Sequence, residues 1–183
     1  MTRFEAFLLL RKRVRDRTLI KNCLVVEAIM EDLAVHFGED PQTWGLAGLL
    51  FEMDYEFTEK NPSGKGKIAA DIARSEGAPA IICRALEEFR GPGPFDDLLT
   101  NSLAVAAPAA MLVLDLATSV QELNDLTGSQ MSAVFDDPSV APGASRTRIC
   151  YLEKSGVDLV ALLEIAKIAL LRVASDVIDK NPA

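Results

Sequence analysis

The stretch TLIKNCLVVEAIMEDLAVHF, residues 18–37, decides the fold class of this chain. Its apolar residues recur every three to four positions, which puts them on one face of a helix. These residues are Leu19, Cys23, Val26, Met30, Leu33 and Phe37. Gly38 comes next and predicts the end of the helix, because glycine readily adopts the left-handed conformation found there. No long stretch of the sequence alternates between apolar and polar residues, so we predict an all-α protein.

Helix-start signals lie on either side of this stretch. Thr2 and Glu5 have the spacing of a capping box and predict a first helix that runs to about Arg15. Asp40 followed by Pro41 predicts the start of a third helix, which continues to about Met53.

The rest of the chain also has helical patterns, separated by glycine, proline and polar residues. We predict helices over residues 67–77, 79–91, 95–118 and 158–178, with a short helix opened by a second capping box at Ser119 and Glu122. Pro108 predicts a kink or break in the apolar helix 95–118. Residues 56–66 are predicted to be a loop, and residues 129–145 a series of short turns.

Residues 1–183 are therefore expected to form one helical domain, since no linker or internal repeat is present. Its parts are an N-terminal helix (1–17), a helical core (18–118) and C-terminal helices (119–183).

Composition narrows the classes of function. Asp and Glu outnumber Lys and Arg 27 to 19, giving a net charge of −8. Such a chain repels phosphate backbones and anionic membranes, so neither nucleic acid nor a membrane is an expected partner. The apolar run from Leu103 to Leu114 is too short to span a bilayer and is interpreted as a buried helix. The order of charges near the N-terminus is the reverse of a secretory signal.

Histidine and cysteine usage limits the chemistry further. The single histidine, His36, lies near a helix end and is interpreted as a surface residue. A metal centre or catalytic relay built from histidines is therefore excluded. Cys23, Cys83 and Cys150 are widely spaced, and we expect them to be packed, reduced thiols in a cytoplasmic protein. A Cys–His nucleophile pair has no sequence signal in its favour, although spacing alone leaves it open.

Two basic segments offer anion binding as a hypothesis. Five basic residues lie between Arg11 and Arg17; they could bind phosphate or an acidic partner, or form the solvated side of a surface helix. Lys65 and Lys67 flank Gly66 just before a predicted helix. A Walker loop is excluded, because Asn61 and Ile68 stand where it needs glycine and a hydroxyl residue. The remaining possibility is a generic anion site at a helix N-terminus.

Four acidic residues form a cluster over one short segment, residues 52–59. They are Glu52, Asp54, Glu56 and Glu59. Oxygen ligands of this kind suit Mg²⁺ or another hard cation, but neighbouring carboxylates at a helix end are more often simply solvated.

Three segments together resemble the HD-domain phosphohydrolases, in particular small single-domain bacterial members. They are TLIKNCLVVEAIMEDLAVHFGED (18–40), WGLAGLLFEMDYEFTEKNPSGKG (44–66) and SLAVAAPAAMLVLDL (102–116), with a looser likeness in FDDPSVAPGASR (135–146). The resemblance implies a helical bundle of HD type. In that family, inward-facing histidines and aspartates hold divalent metals that activate water against a phosphoester.

This chain departs from the family pattern at every position that the resemblance assigns to a metal ligand. The positions are Asn22, Phe51, Glu52, Lys65, Phe89 and, at about the place of the late aspartate, Pro108. Glu52 alone could still ligate a metal well, and one carboxylate does not hold a divalent ion tightly. We therefore expect no metal or other cofactor, with Mg²⁺ or Mn²⁺ as the open alternative.

The resemblance then implies a catalytically inactive HD-like protein with a ligand-binding, protein-interaction or scaffold role. Its expected partner is a small anion or a protein, and self-association through the first or last helix is open. Candidate ligand-binding residues are Glu52, Asp54, Lys65 and Lys67. If Glu52 points inward, the ammonium of Lys65 is its expected companion, because a buried charge needs a counter-charge. The alternative is a hydrolase that uses Glu52 and Asp54 with a divalent metal.

Overall fold

Helices make up all of the regular structure in the described part of the chain. The structure is a computed structural model, and it describes residues 1–60, 62–117 and 119–177, with side chains to residue 174. No strand occurs within these ranges, so the predicted all-α fold class is confirmed.

The helices, in chain order, are as follows. They are α1 (Arg3–Arg13), α2 (Arg17–Phe37), α3 (Pro41–Leu50), α4 (Tyr55–Thr58), α5 (Lys67–Ser75), α6 (Ala80–Glu88), α7 (Leu98–Leu116), α8 (Val120–Asp125), α9 (Gly128–Ala133), α10 (Arg146–Ile149) and α11 (Leu159–Val177). Two 3₁₀ turns, Pro62–Gly64 and Cys150–Ser155, connect neighbouring helices.

Helix α2 is the central element, and it packs against α3, α7 and α11. Asp16 caps its start by accepting hydrogen bonds from the N–H groups of Thr18 and Leu19. Gly38 ends it with φ of 72°, as predicted. The predicted apolar stripe faces the core: Cys23, Val26, Met30 and Leu33 are buried, and Leu19 and Phe37 pack at its edge.

Helices α2 and α3 approach each other closely at Gly48. A Cβ atom at Gly48 would lie 2.8 Å from the backbone N and Cα of Glu27 and from the carbonyl oxygen of Val26. The neighbouring Gly45 is different, because a Cβ atom there would meet only side-chain atoms of Glu31, the nearest at 2.9 Å. The contact at Gly48 therefore fixes the distance between the two backbones, and with it the position of the turn that follows α3.

Helix α7 is the apolar helix of the core, and it continues through Pro108 without the predicted break. Proline has no N–H group, so the carbonyl of Ala104 lacks its usual helical donor at this point. By length and composition alone α7 could cross a membrane, but 72% of it is buried inside the protein. Burial against other helices explains its apolar sequence, as expected for a core helix.

Several local predictions are wrong or incomplete. Residues 56–66 are not all loop, because α4 begins at Tyr55 and a 3₁₀ turn follows at Pro62. Residues 129–145 are not all turns, because α9 covers most of the first part. Helix α3 ends at Leu50, and a turn rather than helix covers residues 51–54. The predicted C-terminal end near Ile178, the end of the apolar helix at Thr118 and the loop residue Asn61 lie outside the described residues.

The close approach at Gly48 leads to a stability prediction. Gly48→Ala should lower the free energy of unfolding by about 1–3 kcal/mol, because backbone atoms of α2 must move to admit the methyl group. Gly45→Ala is the matched control in the same helix, and it should be near neutral or stabilising, since only the flexible Glu31 side chain has to shift. Urea denaturation of both variants measures the difference. Equal stabilities of the two would contradict this account of the α2–α3 contact.

Candidate functional site

A cleft of about 460 Å³ opens where the turn after α3, the end of α6 and helix α7 meet. Its wall contains five of the six residues that stand, by the family resemblance, at the metal-ligand positions of HD-domain proteins. These are Phe51, Glu52, Lys65, Phe89 and Pro108. The sixth, Asn22, lines a smaller adjoining pocket together with Phe51 and Glu52. Residues that are far apart in the sequence are thus brought to one place.

Glu52 lies at the centre of the polar part of this cleft. Its Oε2 is 3.0 Å from Nζ of Lys65, which is the predicted companion. Its Oε1 accepts a hydrogen bond from Nη2 of Arg90 at 2.5 Å. The three side chains are only 12%, 22% and 28% exposed for Glu52, Lys65 and Arg90. The result is a partly desolvated ion cluster with two cations for one carboxylate.

Aromatic rings surround the ion cluster and hold its cations in place. Phe51 and Phe89 are both buried, and their rings meet edge to face with centroids 6.1 Å apart. The guanidinium of Arg90 lies over the ring of Phe89 at 4.6 Å, and Nζ of Lys65 lies 4.9 Å from the ring of Tyr55. Cations over aromatic faces gain favourable electrostatic energy in such surroundings. The phenyl rings therefore make the cleft apolar while they position its charges.

Asp54 was predicted to be a ligand-binding residue, but it does not line this cleft. Its Oδ2 accepts hydrogen bonds from the backbone N–H of Gly66 at 2.7 Å and of Ala69 at 3.1 Å. These groups belong to the start of α5, whose first N–H groups have no partners within the helix. Asp54 is fully buried and ties the turn after α3 to this helix start, so it positions the loop that carries Lys65.

Gly66 completes this connection, because its conformation and its surroundings both require glycine. It has φ of 88°, and a Cβ atom there would lie 2.7 Å from the carbonyl oxygen of Leu86 in α6. The turn thus packs directly against α6, close to Phe89 and Arg90.

Lys67 also lies apart from the cleft. Its side chain is 66% exposed, and it pairs with Asp71 one turn along α5 at 3.4 Å. The remaining acidic candidates, Glu56 and Glu59, are exposed on the far side of the turn. Of the four candidate ligand-binding residues from the sequence, the structure brings together Glu52 and Lys65 and separates Asp54 and Lys67 from them.

Two arginines that sequence reasoning missed complete the cleft. Arg90 stands at the end of α6, where a basic residue is common for helix-dipole reasons and so gives no specific signal. Arg148, in α10, donates hydrogen bonds to the carbonyl oxygens of Phe89, Arg90 and Gly91 and so closes the C-terminal end of α6. Arg148 is distant in sequence from its partners, and no local pattern could have found it.

Cys23 lies beside the ion cluster from α2, and it is unsuited to nucleophilic chemistry. Burial raises the pKa of its thiol far above the ordinary value, and the negative charge of Glu52 raises that pKa further. A protonated, buried thiol is a poor nucleophile. The other two cysteines are also free thiols, as predicted, and His36 is exposed at the end of α2 with its ring against Phe37.

The residues around the cleft do not fit a divalent metal. Within the ranges that the structure describes, no group of three or more His, Cys, Asp or Glu side chains lies close enough to share an ion. Among the described residues, Glu52 is the one carboxylate on the cleft wall, and both of its oxygens face cations. A divalent ion added beside Lys65 and Arg90 would meet strong repulsion from both cations.

The basic N-terminal segment lies elsewhere on the surface. The guanidinium of Arg13 lies 6.0 Å from the ring of Phe57, and the backbone N–H of Arg15 donates to the carboxylate of Glu56, so part of this segment packs against α4. Phe4 and Leu8, in helix α1, are exposed. Self-association through this helix stays a prediction.

No protein-family model, no curated protein and no solved structure matches this chain. The described residues show an all-α fold with a charged, aromatic-walled cleft. The resemblance to HD-domain proteins stays a prediction from the sequence.

The role assigned to Asp54 is tested by removing its carboxylate. Asp54→Ala should lower the free energy of unfolding by about 1–3 kcal/mol, because two buried N–H groups lose their acceptor. Glu59→Ala removes an exposed carboxylate from the same segment and should leave that energy nearly unchanged. Urea denaturation compares the two variants. A stability of Asp54→Ala equal to that of Glu59→Ala would show that the carboxylate does not fix the loop.

Proposed function

We propose that this chain is a non-catalytic helical protein of HD type that binds a small anionic molecule in the cleft around Glu52. The observation that carries the proposal is the ion cluster, in which Lys65 and Arg90 share a single carboxylate. The ammonium and guanidinium groups occupy the region where the family resemblance implies metal ions. On this proposal, the positive charge once supplied by metal is now supplied by the protein itself.

The charge balance of the cleft favours an anion. One carboxylate faces two cations, and the positive charge of Arg148 lies on the same wall. The local excess of positive charge stands out in a protein whose net charge is −8. An acidic surface around a basic cleft keeps large polyanions away, while a small anion can enter.

The shape and lining of the cleft also suit a small molecule. Its volume of about 460 Å³ lies within the range of ordinary ligand pockets, which combine mostly apolar walls with a few placed polar groups. Here Phe51, Phe89, Pro108 and Met111 supply apolar surface.

The alternative of a hydrolase that uses Glu52 and Asp54 with a metal has less support. Both oxygens of Glu52 face cations, and the carboxylate of Asp54 accepts from backbone groups away from the cleft. The two carboxylates do not converge on one position.

The proposal predicts anion binding that depends on Lys65. Wild-type protein should bind inorganic phosphate, and Lys65→Met should weaken the binding by about tenfold or more, because a hydrogen bond to a charged group contributes about 1.5–3 kcal/mol. Lys67→Met is the matched control, since this exposed lysine two positions away lies outside the cleft. Titrations followed by NMR at constant ionic strength measure the dissociation constants.

The same phosphate titration on Glu52→Gln tests whether phosphate binds at Lys65 and Arg90 or is attracted only by positive charge in general. Glu52 is the anion already present in the cleft, so its neutralisation should free Lys65 and Arg90 and tighten phosphate binding. Equal affinities in wild type, Lys65→Met and Lys67→Met would contradict the proposal, as would the absence of any measurable binding.

Metal dependence gives an independent test. Purified protein should contain no stoichiometric divalent metal, and it should show no phosphodiesterase or nucleotidase turnover in added Mn²⁺, because one carboxylate paired with cations cannot hold the ion. Elemental analysis and the two assays measure this. Stoichiometric metal, or turnover that disappears in Glu52→Gln, would support the hydrolase alternative instead.

A further inference from the structure

A second, smaller pocket, called the inner pocket below, adjoins the cleft. Its volume is about 90 Å³, and it is formed between α2 and α7. Phe51, Glu52, Ala107 and Met111 line both spaces. The larger cleft holds the charges, and the smaller pocket is lined mainly by aliphatic groups. Because these four residues line both spaces, the cleft and the inner pocket adjoin, and one ligand could place a charged group in the first and an apolar group in the second.

The inner pocket is apolar on most of its surface. Leu19 and Val26 line it from α2, and Ala107, Ala110 and Met111 line it from α7. The small side chains of the two alanines leave the space that larger residues would fill. Burying apolar groups of a ligand there gains the usual hydrophobic free energy, because these walls offer water few hydrogen-bonding partners.

The volume limits what the inner pocket can hold. A water-sized unit occupies about 30 Å³ of liquid, so a space of this size takes about three or four carbon-sized groups. A cavity that binds benzene is about 150 Å³, so an aromatic ring is too large for this one. The fit is a short aliphatic chain.

Met111 is placed to adapt this junction to a ligand. It is the residue at the boundary of the two spaces that is most exposed, at 41%. Its unbranched thioether side chain can take several rotamers at low cost. A change of rotamer at Met111 can therefore reshape the boundary between the two spaces without moving a helix.

We infer that the ligand of this cleft is a short amphipathic anion, with its charged head beside Lys65 and Arg90 on the cleft side of Glu52 and an aliphatic tail of three to four carbons in the inner pocket. This inference rests on the proposed function, because it needs the anion site to exist. Beyond the anion site, the inference requires an aliphatic tail on the ligand. It therefore favours a short-chain acid over inorganic anions, nucleotides and long-chain lipids.

A chain-length series of linear carboxylates tests the tail directly. The probes are formate, acetate, propionate, butyrate, pentanoate and hexanoate, each titrated into the full chain and followed by NMR. Affinity should rise by about fourfold for each methylene that is buried. The rise should continue to butyrate or pentanoate and stop at hexanoate, whose chain is too long for the pocket.

Filling the inner pocket should abolish this dependence. Ala110 lines the inner pocket but not the outer cleft, so Ala110→Val should bind formate like the wild type and gain little from longer chains. Leu19→Phe narrows the pocket from the α2 side at a partly exposed position, and it provides the same test if Ala110→Val does not fold.

The outcomes distinguish the anion site in the cleft from the tail site in the inner pocket. A rise with chain length that disappears in either folded variant supports the inference. Binding of formate and phosphate with no rise overturns the tail but leaves the anion site in place. A rise that persists unchanged in the folded variants also overturns it, because the chain then lies elsewhere. No binding of any anion overturns the proposed function and the inference together.

Discussion

The contact of the Glu52 carboxylate with Lys65 and Arg90 is the interaction on which this interpretation depends. It joins three separate parts of the chain: the turn after α3, the loop before α5 and the end of α6. An inward-facing carboxylate needs a counter-charge, because removing it from water without one is costly. In the HD-domain proteins that the sequence resembles, metal ions would supply that charge, whereas here side chains supply it.

The surrounding fold keeps these charges together. Gly48 lets α3 lie against α2, which sets the start of the turn that carries Glu52. Asp54 then attaches that turn to the start of α5, and so it fixes the loop that carries Lys65. Arg148 closes the end of α6 and holds the backbone that carries Arg90. Gly48 permits a close backbone contact, and Asp54 and Arg148 satisfy backbone hydrogen-bonding groups. Together they hold the ion cluster beside the open cleft.

Periodicity and capping residues predicted most of the helices, because they act locally. The capping box at Thr2 and the ends of α2 are confirmed. A kink or a break was predicted at Pro108, and the break is wrong because packing of α7 against its neighbours outweighs the lost hydrogen bond. The short helices α4, α9 and α10 were missed because a single turn depends on tertiary contacts more than on propensity.

The candidate site was predictable in part. The resemblance to HD-domain proteins grouped Phe51, Glu52, Lys65 and Phe89, and the need for a counter-charge paired Glu52 with Lys65, as the structure has it. Arg90 and Arg148 were missed because their roles arise only when distant segments meet. Asp54 and Lys67 were included because they are close in sequence to Glu52 and Lys65, and neighbouring residues need not face the same side.

A double-mutant cycle between Glu52 and Arg90 tests the central claim most directly. The free energies of unfolding of wild type, Glu52→Met, Arg90→Met and the double variant give the coupling energy of the pair. The ion cluster predicts a favourable coupling of about 0.5–3 kcal/mol, because Glu52→Met leaves the partly buried Arg90 without its counter-charge and Arg90→Met leaves Glu52 with Lys65 alone. A coupling energy within about 0.3 kcal/mol of zero would show that the two side chains do not interact in the folded protein.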